Sequence, residues 1–168
     1  MPRTSLTPEG ALALLAEAPR RIARLTKGLT EAQLHHAPER GEWSANEVLA
    51  HLRACADTRG EAIRTILASD HPTIRAVNPL TWIKETDYLD LDFRASLRAF
   101  TKQRVALIRI LEILPPRDWS RAATVTGAGR PLERTVLHYA DWVAVHERPH
   151  LSQFAALADR LQVGRRPT

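Results

Sequence analysis

The chain has a single cysteine, Cys55, among its 168 residues, so it cannot form a disulfide within itself. It also has no apolar run near its start that is long enough for a signal peptide or a membrane span. These two absences predict a cytoplasmic protein that does not bind membranes and that depends on an apolar core for its stability.

Long clusters of basic residues are also missing, although the formal net charge is +5. Arginines occur singly or in pairs between Asp and Glu residues, which is typical of solvated helix faces, and only Gly164-Arg165-Arg166 is basic without a neighbouring acid. A nucleic-acid-binding surface needs clustered positive charge. The pattern therefore argues against nucleic acid as a partner and favours a small-molecule substrate.

The length and the 44% hydrophobic content suit one domain over residues 1–168, with a flexible basic tail from about 162. Thr7-Pro8-Glu9 combines an N-cap residue, a proline at the first helical position and an early acid. We expect the first helix to begin there and to run toward His35 and His36. Pro19 lies inside this pattern and predicts a kink or a short break.

A second helix is predicted from Ser44 to about Ala68. Ser44 and Glu47 have the spacing of a capping box, in which each side chain accepts from the other residue's backbone amide. The following stretch, from Asp70 to Asp90, contains two X-Pro pairs and no sustained period, so we expect a long connection.

The third helix is predicted from Phe93 to the prolines at 115 and 116, because its apolar residues recur at alternating steps of four and three. Residues 126–131 read as a loop whose Pro131 opens the fourth helix. The chain is therefore predicted to be all-α, as a four-helix bundle.

Polar residues interrupt the apolar stripes of two predicted helices. On the fourth helix the stripe continues through His146, His150 and Gln153, and on the second it includes His51 and Cys55. A buried imidazole without a partner costs on the order of 1 to 3 kcal/mol, so three together require something that satisfies them.

A divalent transition metal would satisfy them. His146 and His150 are four residues apart on one helical face, with Cβ atoms about 5 to 6 Å apart, and His51 can supply a third ligand from the second helix. The alternative is that each histidine is an ordinary core residue that is hydrogen-bonded to a backbone carbonyl. His35, His36, His71 and His138 are assigned no ligand role.

Four further residues have two interpretations each. Cys55 is either a thiolate ligand or a small buried hydrophobe. Gln153 either orients His150 or reaches solvent, and Glu47 either supports His51 or only completes the capping box. Arg104, which interrupts the apolar stripe of the third helix, either binds an anionic substrate group or extends to the surface.

Two segments resemble the DinB-like metalloenzyme family, also called DinB/YfiT-like. Trp43-Ser44-Ala45-Asn46-Glu47-Val48-Leu49-Ala50-His51-Leu52 resembles the family's W-S-x-x-E-x-x-x-H-L motif, and His146-Glu147-Arg148-Pro149-His150-Leu151-Ser152-Gln153 resembles its H-x-x-x-H-x-x-Q segment. The spacing between the two segments also fits, so the resemblance covers nearly the whole chain.

The resemblance implies an up-down-down-up four-helix bundle that binds a metal, often nickel or zinc, through His51, His146 and His150. It also implies a homodimer, and reactions that depend on low-molecular-weight thiols such as mycothiol or bacillithiol. Pro149 departs from the family pattern, and we expect it to kink the fourth helix beside His150.

Three neutral imidazoles leave an ion its full charge and an open position, as in catalytic sites. The leading hypothesis is a metal-dependent transferase that uses a small thiol, with the loop near Trp82 shaping its pocket. A metal-dependent hydrolase and a metal-binding or dimerisation module without turnover are the alternatives.

Overall fold

The computed structural model describes residues 5–163, so the predicted basic tail lies almost entirely outside the described residues. The described part is mostly helical. Its long helices are α1 (Pro8–Leu25), α3 (Ala45–Ala68), α5 (Phe93–Glu112) and α6 (Val136–Val163). Its short helices are α2 (Glu31–His35) and α4 (Pro79–Trp82).

The long helices pack side by side, because α1 and α3 each contact both α5 and α6. This arrangement buries the apolar stripes that the sequence predicted for all four. Within residues 5–163 no helix is both long and apolar enough to cross a membrane.

Side-chain caps set the start of most helices. Ser44 accepts a hydrogen bond from the Glu47 amide at 3.2 Å while Glu47 accepts one from the Ser44 amide at 2.7 Å, so the predicted capping box is confirmed. Asp92 caps α5 through a single bond, in which its Oδ1 accepts from the amide of Ala95 at 2.9 Å. These local signals explain why the second and third predicted helices have the expected bounds.

The prediction for the first helix was wrong about where it breaks. The helix continues through Pro19, which is buried, and ends at Leu25. Gly28 then adopts a positive φ of 80°, and Thr30 begins the separate helix α2 with a capping box to Gln33. The capping box at Thr30 stabilises this break. The side chains of Thr30 and Gln33 accept hydrogen bonds from the backbone amides of residues 33 and 30, which in a continuous helix would donate to backbone carbonyls.

A small sheet was not predicted. It consists of β1 (Thr73–Arg75), β2 (Ala122–Thr126) and β3 (Leu132–Thr135), in the order β1-β2-β3. The first pair is parallel and the second is antiparallel. Pro131 precedes a strand and does not open the last helix, which begins at Val136 with Thr135 accepting from the His138 amide at 3.0 Å.

The connection after α3 is partly ordered by short elements. It contains β1, α4 and a single 3-10 turn at Ile83–Glu85, and a second 3-10 turn at Pro116–Ser120 follows the end of α5. The prediction of a long connection is confirmed, although it contains local structure.

The core consists of two apolar clusters. One cluster contains the starts of α3 and α5 with the ends of α1 and α6. The other contains the ends of α3 and α5 with the starts of α1 and α6. Along α6, the residues between the two clusters include His146 and Glu147, and along α5 they include Arg104. A polar layer therefore crosses the middle of the bundle.

Arg104 and Glu147 form an ion pair inside this layer. Their side chains are 1% and 3% exposed, and both guanidinium Nη atoms donate to the carboxylate. Arg104 Nη1 also donates to the Leu15 carbonyl at 3.2 Å. Both interpretations of Arg104 from the sequence were wrong, because the side chain neither faces a substrate nor reaches solvent.

Replacing only one member of this pair is expected to destabilise the protein strongly. Arg104→Met leaves the Glu147 carboxylate buried and without its partner, and such changes cost about 3 to 5 kcal/mol. The double variant Arg104→Met/Glu147→Leu removes both charges and is expected to recover most of that loss. Urea unfolding at pH 7 measures both values. Equal destabilisation by the single and double variants would contradict the expectation.

Candidate metal centre

His51 on α3 and His146 on α6 meet inside the polar layer. Their Nε2 atoms are 3.0 Å apart, and the His51 side chain is almost completely buried. The two residues come from different helices, 95 positions apart in the chain, so only the packing of α3 against α6 brings them together.

His150 lies one helical turn beyond His146 and faces the same space. Its ring centroid is 5.0 Å from that of His51 and 4.9 Å from that of His146. Its Nδ1 contacts Oε1 of Gln153 at 3.1 Å. Because an amide oxygen can only accept, this contact places the ring proton on Nδ1 and leaves the Nε2 lone pair available. Gln153 therefore orients His150, as one of its two interpretations predicted.

The imidazoles of His51 and His146 are neutral at physiological pH. Burial, together with the neighbouring histidines, lowers the pKa of His51 from 6.5 to about 4. Burial, His150 and Arg59 lower the pKa of His146 to about 4 as well. A neutral imidazole is the form that binds a metal ion, so little proton competition is expected at pH 7.

Two tryptophans hold these rings in place. Trp142 is stacked on His146, with ring centroids 4.4 Å apart and planes inclined by 14°, and Trp43 lies 5.3 Å from His51. The guanidinium of Arg59 lies over the Trp142 ring, 4.5 Å from its centre. Trp142 lies four residues before His146, so helical spacing was the signal that would have identified it.

Cys55 lies closer to the histidines than a simple core residue would. Its Sγ is 3.6 Å from His51 Nε2, and among residues 5–163 the ligand atoms of His51, Cys55 and His146 all lie within 4.8 Å of one another. His150 is not in that set. Burial raises the pKa of the Cys55 thiol to about 12, so without an ion the sulfur is protonated.

The histidine cluster has the properties of a metal site. Two nitrogens bound to one ion at about 2.1 Å are separated by about 3 to 3.4 Å, which is close to the observed spacing of His51 and His146. The Nδ1 atom of His51 is buried and has no hydrogen-bond partner in the described part of the chain. The donor set and its spacing therefore fit a divalent transition metal.

The remaining predicted residues lie apart from this cluster. Glu47 is fully engaged in its capping box. Pro149 is exposed and lies inside α6, which continues unbroken on both sides. His35 Nε2 lies 3.6 Å from a carboxylate oxygen of Glu31, and His71 Nε2 lies 3.0 Å from one of Glu133.

A cavity of about 790 Å³ adjoins the histidines. Thr58 and Trp142, which line it, lie one turn from Cys55 and His146 on the same helices. Trp82 also lines it. Asp57 holds that loop by accepting hydrogen bonds from Trp82 Nε1 at 3.1 Å and from the Tyr88 hydroxyl at 2.6 Å.

Comparison with known proteins gives a family and a fold. The model of the DinB superfamily matches residues 14–154. A solved structure described as "YfiT from Bacillus subtilis is a probable metal-dependent hydrolase with an unusual four-helix bundle topology" has a TM-score of 0.79 and 19% sequence identity, over 96% of this chain and 93% of that one. No curated protein sequence matches this chain.

The depressed histidine pKa values predict that the metal-free protein loses stability in acid. Unfolded histidines titrate near pH 6.5 but His51 and His146 titrate near 4 when folded, so between these values the unfolded chain binds more protons. The free energy of unfolding should therefore fall as the pH is lowered from 6.5 to 4 and should level off above about 7.

Urea unfolding in EDTA at several pH values measures this slope. The variant His51→Gln/His146→Gln should show a smaller slope over the same range, whereas His36→Gln, which changes an exposed histidine, should match the wild type. The same slope in all three proteins would exclude the two buried histidines as its source.

Proposed function

The chain belongs to the DinB superfamily, and from this premise we propose that it is a metal-dependent enzyme whose divalent ion is held by His51, His146 and His150. The observation that supports this most directly is the convergence of three imidazoles from two helices. Nickel or zinc is the proposed metal, since imidazole nitrogens suit both.

The residues around the cluster support a catalytic rather than a structural role. A divalent ion held by three neutral ligands keeps an open position and supplies Lewis acidity that lowers the pKa of water or of a thiol. Gln153 keeps His150 in one tautomer, and Trp142 and Trp43 restrict the rings of His146 and His51. Cys55 lies beside this centre, with Sγ 3.6 Å from His51 Nε2, but it is not counted among the ligands, because a thiolate in the fourth position would close the site.

The proposed reaction is transfer of a low-molecular-weight thiol to a small-molecule substrate. Glu147, the carboxylate adjacent to His146, is fully bonded to Arg104 and cannot act as a general base. A thiol, with an ordinary pKa near 8.5, needs less help to ionise than water does. This difference favours a thiol over water as the nucleophile.

Hydrolysis is the second candidate, and the comparison favours it. The structure of YfiT, which shares this fold, is described as a probable metal-dependent hydrolase. In that case water would take the place of the thiol at the same three histidines. A module that binds metal or dimerises without turnover is the third candidate.

We also propose the up-down-down-up order of helices, a homodimer and a cytoplasmic location. The composition of the two core clusters supports the helix order, because the starts of α1 and α6 pack with the ends of α3 and α5. The dimer and the location depend on the family resemblance and on the sequence composition.

Metal content tests the ligand assignment. The purified, untagged protein should contain about one equivalent of a transition metal per chain, as measured by inductively coupled plasma mass spectrometry. His51→Ala and His150→Ala should lose it, because each removes one of three ligands. His138→Ala, which changes a histidine two turns away on α6, should keep it. No metal even after reconstitution would contradict the proposal.

Turnover with and without an added thiol separates the two reactions. The metal-loaded protein should convert electrophilic substrates only when mycothiol, bacillithiol or glutathione is present, and His146→Ala should abolish that activity. Cleavage of ester or amide substrates without any thiol would instead establish the hydrolase. Saturation with metal but no turnover in either panel would favour the non-enzymatic module.

A further inference from the structure

The cavity beside the histidines contains more positive than negative charge. Four arginines line it, against two carboxylates. The arginines are Arg59, Arg64, Arg75 and Arg134, and the acids are Asp57 and Glu61. Both acids are already engaged, because Glu61 pairs with Arg64 at 3.0 Å and Asp57 accepts from Trp82, Tyr88 and Gln103. The cavity therefore has excess positive charge.

Arg59 is the arginine closest to the histidines. Its guanidinium lies over Trp142, whose other neighbour is His146, and its charge contributes to the lowered pKa of His146. No carboxylate of residues 5–163 forms an ion pair with it. Arg59 therefore places an uncompensated charge at the boundary between the cavity and the metal centre.

The hydrogen bonds of Arg59 leave one edge of its guanidinium available. Nη1 donates to Thr58 Oγ1 at 3.3 Å and to the Val77 carbonyl at 3.2 Å. A guanidinium carries five N–H donors, so the Nε and Nη2 donors remain. These two donors point the same way, and together they match the two oxygens of a carboxylate or of another oxyanion.

The rest of the cavity wall is largely apolar and aromatic. The residues that make it so are Ile74, Val77, Trp82, Val125, Tyr139 and Trp142. Flat apolar groups pack well against such walls, and the volume of about 790 Å³ lies in the range of small-molecule sites. A ligand that fits both features carries an acidic group at one end of an apolar or aromatic body.

We propose that this cavity binds an organic anion with a flat apolar body, and that Arg59 pairs with its acidic group beside Trp142. This proposal rests on the proposed function, since it names the class of substrate that would be presented to the three histidines. Arg64 is not part of the anion site, because Glu61 neutralises its charge.

A matched pair of probes tests the charge requirement. Naphthalene-2-carboxylate and naphthalene-2-carboxamide differ in charge but have nearly the same shape. Isothermal titration calorimetry on the EDTA-treated, metal-free protein should give a dissociation constant at least about tenfold lower for the carboxylate. Because no metal is present, a failure of the metal assignment leaves this result unaffected.

Two variants on the same helix test the role of Arg59. Arg59→Gln should raise the dissociation constant of the carboxylate by about tenfold and should leave that of the carboxamide nearly unchanged. Arg64→Gln should stay within about twofold of the wild type for both probes, because its partner Glu61 already cancels its charge. Circular dichroism checks that each variant is folded.

Arg59→Lys replaces Arg59→Gln in this test if Arg59→Gln does not fold. It should bind the carboxylate more weakly than the wild type, because lysine lacks the two parallel donors of the guanidinium edge. Equal affinity for the carboxylate and the carboxamide, or no binding of either, would overturn the proposal. An equal loss in Arg64→Gln and Arg59→Gln would overturn the assignment to Arg59.

Discussion

The geometry of the candidate metal centre depends on the buried ion pair between Arg104 and Glu147. Adjacent side chains on a helix point about 100° apart, so the direction of Glu147 fixes that of its neighbour His146. Glu147 faces α5 and α1, where Arg104 and the Leu15 carbonyl lie, and this rotation of α6 turns His146 toward His51 on α3. Because the buried carboxylate can find its cationic partner at only one place, the ion pair selects one rotation of the helix about its axis. Apolar packing alone would tolerate a wider range of rotations.

Burial of the polar layer that crosses the middle of the bundle removes its charged and polar groups from water, and contacts within and beside the layer offset this desolvation cost. The ion pair satisfies its charges with several hydrogen bonds, although Arg104 Nε and His51 Nδ1 remain buried without partners in the described residues. The histidines lower their cost by remaining neutral, and Trp142 covers one face of His146. Apolar clusters on both sides of the layer supply the stability that such a layer requires. The imidazoles are thereby held close together before any ion binds, which reduces the ordering that binding requires.

Capping boxes and apolar stripes predicted the helices well, but they did not predict which residues contact one another between helices. The capping box of Ser44 and Glu47 predicted the start of α3 correctly, and the four-three stripes predicted that His51 and His146 would face the interior. The hairpin of β2 and β3 was missed because both strands are short and Pro131 also suits the start of a helix, although Gly127 and Gly129 in the connecting loop are a local hairpin signal. Nothing local marks Glu147 as the partner of Arg104, since the two lie 43 residues apart. For the same reason the arginines of the cavity, which come from α3, β1 and β3, could not be assembled from the sequence.

The two helices that carry the histidines also form the cavity, and this shared construction links binding to chemistry. Along α3 the interior face passes from His51 and Cys55 to Thr58, and along α6 it passes from His150 and His146 to Trp142. Trp142 contacts both the histidine cluster and the cavity, since its ring stacks on His146 and the guanidinium of Arg59 lies over it. A ligand paired with Arg59 would therefore lie one aromatic ring away from His146, an imidazole of the proposed metal centre. That placement would hold a substrate at a fixed distance from the reactive position without any contact between its acidic group and the ion. In the proposed enzyme such separation would matter, because an oxyanion that reached the ion would occupy the open position that the nucleophile needs.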